Sequence, residues 1–341
     1  MVGVLMGRVV AALVVTTALL WGLLGCSPDE EESRPVLSGS FVQPGLIDPL
    51  TEAELTSHYA ALHSAGITTQ VLQWTADSGR MHATYPNPLP GYTTTTRTDV
   101  PQRVLSAAAA QNMSVYVGLQ TSASWWQNYA NNADWLAAEA TTAKALADQL
   151  HARYGHFASF AGWYLPFEVD NVHLAGPAQW DQLASFYAQV IGHLKSLTPD
   201  KPVVVAPFFN ASTGMGPDQW QQMWTHVLRS ARLDVIALQD GVGVGHASAA
   251  DLSAWFSATR NAIREARPDT KLVSTAETFV GPESSRTPMP LADLVADLRA
   301  VAPFVSANWS FSYDHYQVPT PRGSQAPHQA YLRYVATGQV D

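Results

Sequence analysis

The sequence predicts a (β/α)8 barrel in a single domain, and three observations lead there. From residue 37 onward, eight short apolar, β-branched runs alternate with amphipathic helical stretches. The runs end at 43, 74, 120, 168, 209, 240, 277 and 309, so successive ends lie about 31 to 48 residues apart. That is the length of a strand, a helix and two loops. No linker or compositional break divides residues 37–341. Strands alternating with helices pair in parallel through right-handed crossovers, and eight of them close on themselves.

The strand-like runs are 39–43, 68–74, 114–120, 162–168, 202–209, 235–240, 272–277 and 304–309. Between the first two, Thr51 and Glu54 form a capping box, Leu55, Tyr59 and Leu62 an apolar stripe, and Gly66 a stop. Residues 85–98, rich in Pro, Gly and Thr, read as a long loop inside the second repeat. Residues 135–150 are alanine-rich and helical. Residues 183–197 carry Phe186, Val190, Ile191 and Leu194 at helical spacing and end at Pro199. Ser248 and Asp251 open another helix, with Trp255 and Ile263 on its apolar face. The competing arrangement is an open doubly wound sheet, which normally shows a Gly-rich fingerprint after an early strand. The glycines at 241, 243 and 245 come late, lack that spacing and lead into His246.

Composition narrows the function. Charged residues are 14% and apolar ones 47%, with a formal net charge of −9. A lightly charged, acidic surface excludes a phosphate-binding footprint, so nucleic acid is not an expected partner. One cysteine excludes a disulfide framework, a cysteine-based zinc cluster and a redox CxxC pair.

The position of that cysteine is informative. Arg8 is the only charge in the first 25 residues, and an apolar run follows from 9 to 24. Leu23-Leu24-Gly25-Cys26 resembles the bacterial lipobox, and an acidic stretch follows it. The expectation is a lipoprotein signal peptide at 1–25, a flexible tether at 26–36 and the barrel at 37–341. Cys26 would carry the lipid. The protein would then be exported and held at the outer face of the cytoplasmic membrane, or in the periplasm or outer membrane of a Gram-negative cell.

In a barrel of this type the active site forms at the C-terminal ends of the strands. Those positions read Gln43, Gln73 and Trp74, Gln120, Glu168, Phe209 and Asn210, Gln239 and Asp240, Glu277, and Asn308 and Trp309. The ring has no lysine, arginine or cysteine, which argues against phosphate substrates and Schiff-base chemistry. Amides and carboxylates bond hydroxyl groups, and aromatic faces pack on sugar rings. Trp125 and Trp126, flanked by Ser122 and Ser124, read as an exposed sugar platform, though core packing is the blander alternative. Asp170, Asn171 and Tyr313 complete the expected substrate-binding set. For Asp240 an Asx turn is an equal alternative. Glu283 reads as a solvated loop residue. His173, His246, His315 and His328 show no metal-ligand spacing, and Ser274, Ser306 and Ser310 lack a GxSxG elbow. Neither a metal nor another cofactor is expected, and a monomer is.

Glu168 and Glu277 stand out because two carboxyls across a barrel mouth supply an acid and a nucleophile for glycoside cleavage. The placement after strands four and seven is similar to clan GH-A of retaining glycoside hydrolases. That resemblance implies Glu168 as acid/base, Glu277 as nucleophile and Trp309 as a floor for the sugar. The clan usually has asparagine before the acid/base, and here Phe167 stands in that place. A closer resemblance is to the bacterial family called domain of unknown function 4434. It is carried by residues 39–43, 71–74, 115–119, 162–171, 239–243 and 276–279, and implies a glycosidase-like barrel in exported proteins. Two rival readings are a non-catalytic carbohydrate-binding lipoprotein and a two-lobed solute-binding lipoprotein.

Overall fold

The computed structural model describes residues 34–174, 176–319 and 325–340. The expected lipid attachment at Cys26 and the signal segment lie outside the described residues. Among those described, no helix is long and apolar enough to cross a membrane.

Eight strands form a closed barrel: β1 (Leu37–Val42), β2 (Thr69–Leu72), β3 (Ser114–Gly118), β4 (Phe160–Leu165), β5 (Val203–Val205), β6 (Val235–Gln239), β7 (Lys271–Glu277) and β8 (Asn308–Phe311). Every neighbouring pair is parallel, and β1 closes on β8 with Gly39 beside Trp309. The eight principal helices are α1 (Glu52–Ser64), α2 (Val100–Ala110), α3 (Ala133–Tyr154), α4 (Pro177–Leu197), α5 (Pro217–Ser230), α6 (Ala249–Ala266), α7 (Leu291–Val301) and α8 (Ala326–Thr337). One follows each strand, as the repeat predicts.

Local sequence sets the helix ends. The Thr51–Glu54 capping box forms, with Thr51 N–H donating to Glu54 Oε2 at 2.8 Å, and Ser248 and Asp251 do the same for α6. Prolines at the first turn start α2, α4, α5 and α8, where a missing N–H costs nothing. Helix α8 latches the start of the barrel: Leu37 N–H donates to Tyr331 Oη at 2.6 Å, and Tyr334 Oη donates to Pro35 O.

The barrel interior holds a compact set of side chains that includes Phe41, Val71, Tyr164, Val204, Val273 and Trp309. A larger core lies between the strands and the helices. Gly39 makes room for the interior tryptophan: a Cβ there would lie 2.4 Å from Trp309 Cδ1.

Three departures from the sequence expectations matter for the site. The fifth strand stops at Val205, so residues 206–209 are loop. The eighth strand runs from Asn308 to Phe311 and not from 304 to 309, so the mouth is reached two residues later. The loop of the second repeat contributes to a small four-stranded sheet built from Ala76–Asp77, His82–Ala83, Thr93–Thr94 and Gln120–Thr121. Strands of two residues leave no alternation to read.

Candidate active site

At the C-terminal ends of the strands lies a cavity of about 520 Å³. Both predicted carboxylates, Glu168 and Glu277, line it. So do Gln43, Gln73, Trp74, Trp125, Trp126 and Gln239.

Glu168 stands three residues beyond β4, where Pro166 removes a ladder donor and lets the chain leave the sheet. Its Oε1 accepts from Gln239 Nε2 at 3.2 Å, and Gln239 also donates to Ala206 O at 2.8 Å. The backbone carbonyl of Glu168 accepts from Trp125 Nε1 at 2.7 Å. Burial pushes the Glu168 carboxyl up to about 7, opposed by the Gln239 hydrogen bond and reinforced by the charges of Glu277 and Asp170.

Glu277 is the last residue of β7 and is buried. Its Oε2 accepts from Val244 N–H at 2.8 Å, in the loop that follows β6. That loop approaches so closely because residue 243 is glycine: a Cβ there would meet Phe279 O at 2.2 Å and Glu277 Oε2 at 3.0 Å. Burial pushes the Glu277 carboxyl up to about 7 as well. Here more groups oppose the rise: the backbone N–H of Val244, Arg286 and the backbone N–H of Gly243. Beneath it Asp240 Oδ1 accepts from Glu277 N–H at 3.2 Å, and burial raises the Asp240 carboxyl well above its ordinary value.

The walls are aromatic. Trp74 and Trp126 face the cavity from the β2 and β3 loops, Phe208 and His246 from the β5 and β6 loops, and Phe279 and Phe311 from β7 and β8. Trp126 is 47% exposed, so its face is open to a ligand. Gln73 lines the cavity and is buried, and its Oε1 has no partner among the described residues.

Seven expected contact residues take protein partners and do not line the cavity. Gln120 donates to Glu139 O and Oε2 and ties the small sheet to α3. Asp170 accepts from the N–H groups of Val172 and His173 and from His173 Nδ1, and so shapes its own turn. Asn171 is fully buried: its Nδ2 donates to the carbonyls of Asn210, Thr213 and Met215, and its Oδ1 accepts from Asn210 N–H. Asn210 in turn accepts from Ser212 N–H. Asp240 makes the Asx turn with Val242 N–H. Tyr313 is buried with its hydroxyl 2.8 Å from His328 Nδ1. Trp309 lies within the barrel core, 5.5 Å from the Tyr116 ring centroid, and Phe311 takes the place at the mouth expected of it. The period-2 alternation of strands explains that shift, since 309 and 311 share a face one layer apart.

The tryptophan pair is also divided. Trp125 is buried and stacked on Phe167 at 5.2 Å and 2°, so it is a packing residue at the cavity edge and not an exposed platform. Phe209, read at a strand end, packs on Trp255 at 4.5 Å, and its neighbour Phe208 faces the cavity. The strand-end ring lacked a cation, yet Arg286 reaches the cavity from the loop after β7, and exposed Glu283 stands at its rim. Loop residues of this kind follow no period and carried no signal. Among the described residues, no group of three or more His, Cys, Asp or Glu is arranged to hold a metal ion.

The profile of a family described as a domain of unknown function (DUF4434) matches residues 37–325. The chain belongs to the DUF4434 family. Solved structures similar to this DUF4434 protein include one from Bacteroides thetaiotaomicron VPI-5482, provisionally assigned as an alpha-L-fucosidase. It is 18% identical, with a TM-score of 0.73 over 96% of this chain and 100% of that one. An endo-beta-1,4-mannanase from Thermotoga petrophila is 14% identical, with a TM-score of 0.55 over 91% of this chain and 78% of that one. A GH18 chitinase from Pseudoalteromonas aurantia is 13% identical, with a TM-score of 0.55 over 88% and 99%. At these identities the likeness establishes a shared (β/α)8, glycoside hydrolase-like fold. No curated protein sequence matches the chain.

Proposed function

We propose that this DUF4434 protein is a retaining glycoside hydrolase that acts on a polysaccharide or glycoconjugate of the cell envelope or its surroundings, held there by a lipid on Cys26. The observation that carries the reading is the meeting of Glu168 and Glu277, from β4 and β7, in one aromatic-walled cavity. Burial raises both carboxyls to about 7, so near neutrality a proton can reside on either. The hydrogen-bond partners decide where it sits. Glu277 faces N–H donors and a guanidinium, which favour its anion. Glu168 has one side-chain amide and keeps the proton.

The reaction then follows. Glu277 carboxylate attacks the anomeric carbon as Glu168 gives its proton to the departing glycosidic oxygen, and that C–O bond breaks. Glu168, now ionised, takes a proton from water; the water oxygen attacks the same carbon and frees Glu277. Trp74, Trp126 and Phe311 offer faces to sugar rings, and Gln43 and Gln73 offer amides to hydroxyls. No cofactor enters these steps.

The test is cleavage of aryl glycosides and envelope polysaccharides by the wild type, Glu168→Gln and Glu277→Gln, with product stereochemistry read by NMR. The wild type is expected to release the retained anomer. Glu277→Gln is expected to abolish turnover, and Glu168→Gln to slow poor leaving groups by about 10²- to 10⁴-fold. An inverted product, or full activity in either variant, refutes the mechanism. A second reading, carbohydrate binding without cleavage, is favoured by Phe167, which stacks on Trp125 where clan GH-A presents an asparagine amide. Glycan binding by a wild type that cleaves nothing would establish it.

A further inference from the structure

Arg286 is the only arginine or lysine among the described residues that line the cavity. It sits in the hairpin that pairs Phe279–Val280 with Thr287–Pro288. One face of its guanidinium is occupied: the central carbon lies 4.3 Å from the ring centroid of Phe279. Its Nε is buried with no hydrogen-bond partner among the described residues. It takes part in none of the ion pairs found among them. Glu277 feels its charge, but Glu277 Oε2 already accepts from Val244 N–H. Glu283 is exposed at the rim, where solvent screens it.

A guanidinium presents five donors in a rigid fork whose geometry matches two oxygens of one anionic group. Leaving a buried donor unpaired costs free energy, and a charged acceptor repays it better than a hydroxyl does. An arginine that lines the cavity, is stacked on an aromatic ring and has no protein acceptor among the described residues can therefore receive one from outside the chain. The net charge of −9 opposes an anion at long range. Physiological salt screens that repulsion beyond about 8 Å, whereas contact with Arg286 is far shorter.

We propose that the cavity takes a sugar bearing an anionic substituent, and that Arg286 is the residue that reads it. This rests on the glycosidase reading of the cavity and names a substrate class for it. A uronic acid carboxylate and a sulfate ester present the same chemistry.

The test uses the full chain in detergent. Binding of glucuronate, galacturonate, mannuronate and glucose 6-sulfate is compared with that of glucose, galactose and mannose, by calorimetry or thermal shift. Hydrolysis of aryl uronides is compared with that of the matching aryl hexosides. Wild type, Arg286→Gln and Arg286→Lys are measured side by side. An acid is expected to bind the wild type more tightly than its neutral counterpart. Arg286→Gln should lower the preference for the acid over its neutral counterpart by about 10- to 100-fold, and Arg286→Lys should recover part of that preference. Preference for a uronate assigns the carboxylate, and preference for the 6-sulfate assigns the ester. The proposal is overturned if no acid binds, if neutral sugars bind as tightly, or if Arg286→Gln weakens both classes equally. Arginine-dependent binding of an acid without any hydrolysis keeps this inference and removes the hydrolase reading. Cleavage of neutral glycosides with unchanged selectivity in Arg286→Gln does the reverse.

Discussion

Replacing Glu168 with glutamine should stabilise the protein at alkaline pH while impairing it as a catalyst. Burial lifts this carboxyl from its ordinary 4.5 to about 7. Ionising it in the folded protein is therefore harder than in the unfolded chain. The sign follows from linkage: the contribution to stability is fully present below the unfolded value and is lost as pH rises through the folded one. The window runs from about 4.5 to about 7. A displacement of roughly 2.5 pH units, at 1.36 kcal/mol each, is about 3 kcal/mol. Glutamine carries no charge to desolvate and still offers Gln239 an acceptor. Urea unfolding of wild type and Glu168→Gln at pH 4, 6 and 8 gives the stability difference at each pH. Glu277 and Asp297, both lifted to about 7 by burial, give the wild type a similar slope. The difference between the two proteins reports the loss of the Glu168 charge. It should be small at pH 4 and grow to about 3 kcal/mol in favour of the variant at pH 8. Loss of the Glu168 charge also relieves Glu277, which acts in the same direction. A difference that stays flat with pH, or favours the wild type at pH 8, refutes the argument that this carboxyl is held neutral by its surroundings.

Other changes separate the cavity from its scaffold. Gly243→Ala places a methyl 2.2 Å from Phe279 O and 3.0 Å from Glu277 Oε2. It should cost about 1–3 kcal/mol in denaturant unfolding and remove most of the proposed hydrolytic activity, because the loop must retreat from Glu277, the proposed nucleophile. Asn171→Ala leaves three carbonyls and one N–H without their partner and should cost about 2–4 kcal/mol by the same assay. Trp126→Ala, at a 47% exposed site, should change stability by less than about 0.5 kcal/mol while raising KM for oligosaccharides. An unchanged KM would remove Trp126 from the binding surface.

The architecture was legible because it is periodic. Alternating apolar residues, capping boxes at Thr51 and Ser248 and first-turn prolines each act over a few residues, so they can be read without knowing what lies across the barrel. Glu168 and Glu277 were found by the same count, since each stands at or just past a strand end in register with units four and seven. The polar residues around them were harder. Gln239 and Asn171 look alike in sequence: each is an amide following an apolar run. One reaches the cavity, while the other braces three carbonyls of a neighbouring loop. Only the course of the loop from Asn210 to Met215 decides between them. Buried backbone groups must be paired, and an amide is as good a partner for them as for a sugar. Trp309 shows a finer limit: one pleat, two residues, separates the barrel interior from its mouth.

The stretch from Gly241 to His246 shows how a weak sequence signal acquires meaning. Its glycines match no nucleotide fingerprint, yet each has a task. Gly241 and Gly245 adopt φ of +67° and +76°, which turn the chain back on itself. Gly243 lets the turn press against Glu277, and Val244 N–H donates to the carboxylate. The proposed nucleophile is thus held by a main-chain donor whose approach depends on glycine at 243. This bears on Phe167. Clan GH-A usually has an asparagine there to hold the 2-hydroxyl, and here Phe167 packs on Trp125 instead. That stack carries Trp125 Nε1 to the Glu168 carbonyl, so the aromatic pair braces the proposed acid from behind while the glycine turn braces the proposed nucleophile. The two carboxylates are held by independent devices. Disrupting one should therefore leave the other's ionisation largely intact, apart from their direct repulsion.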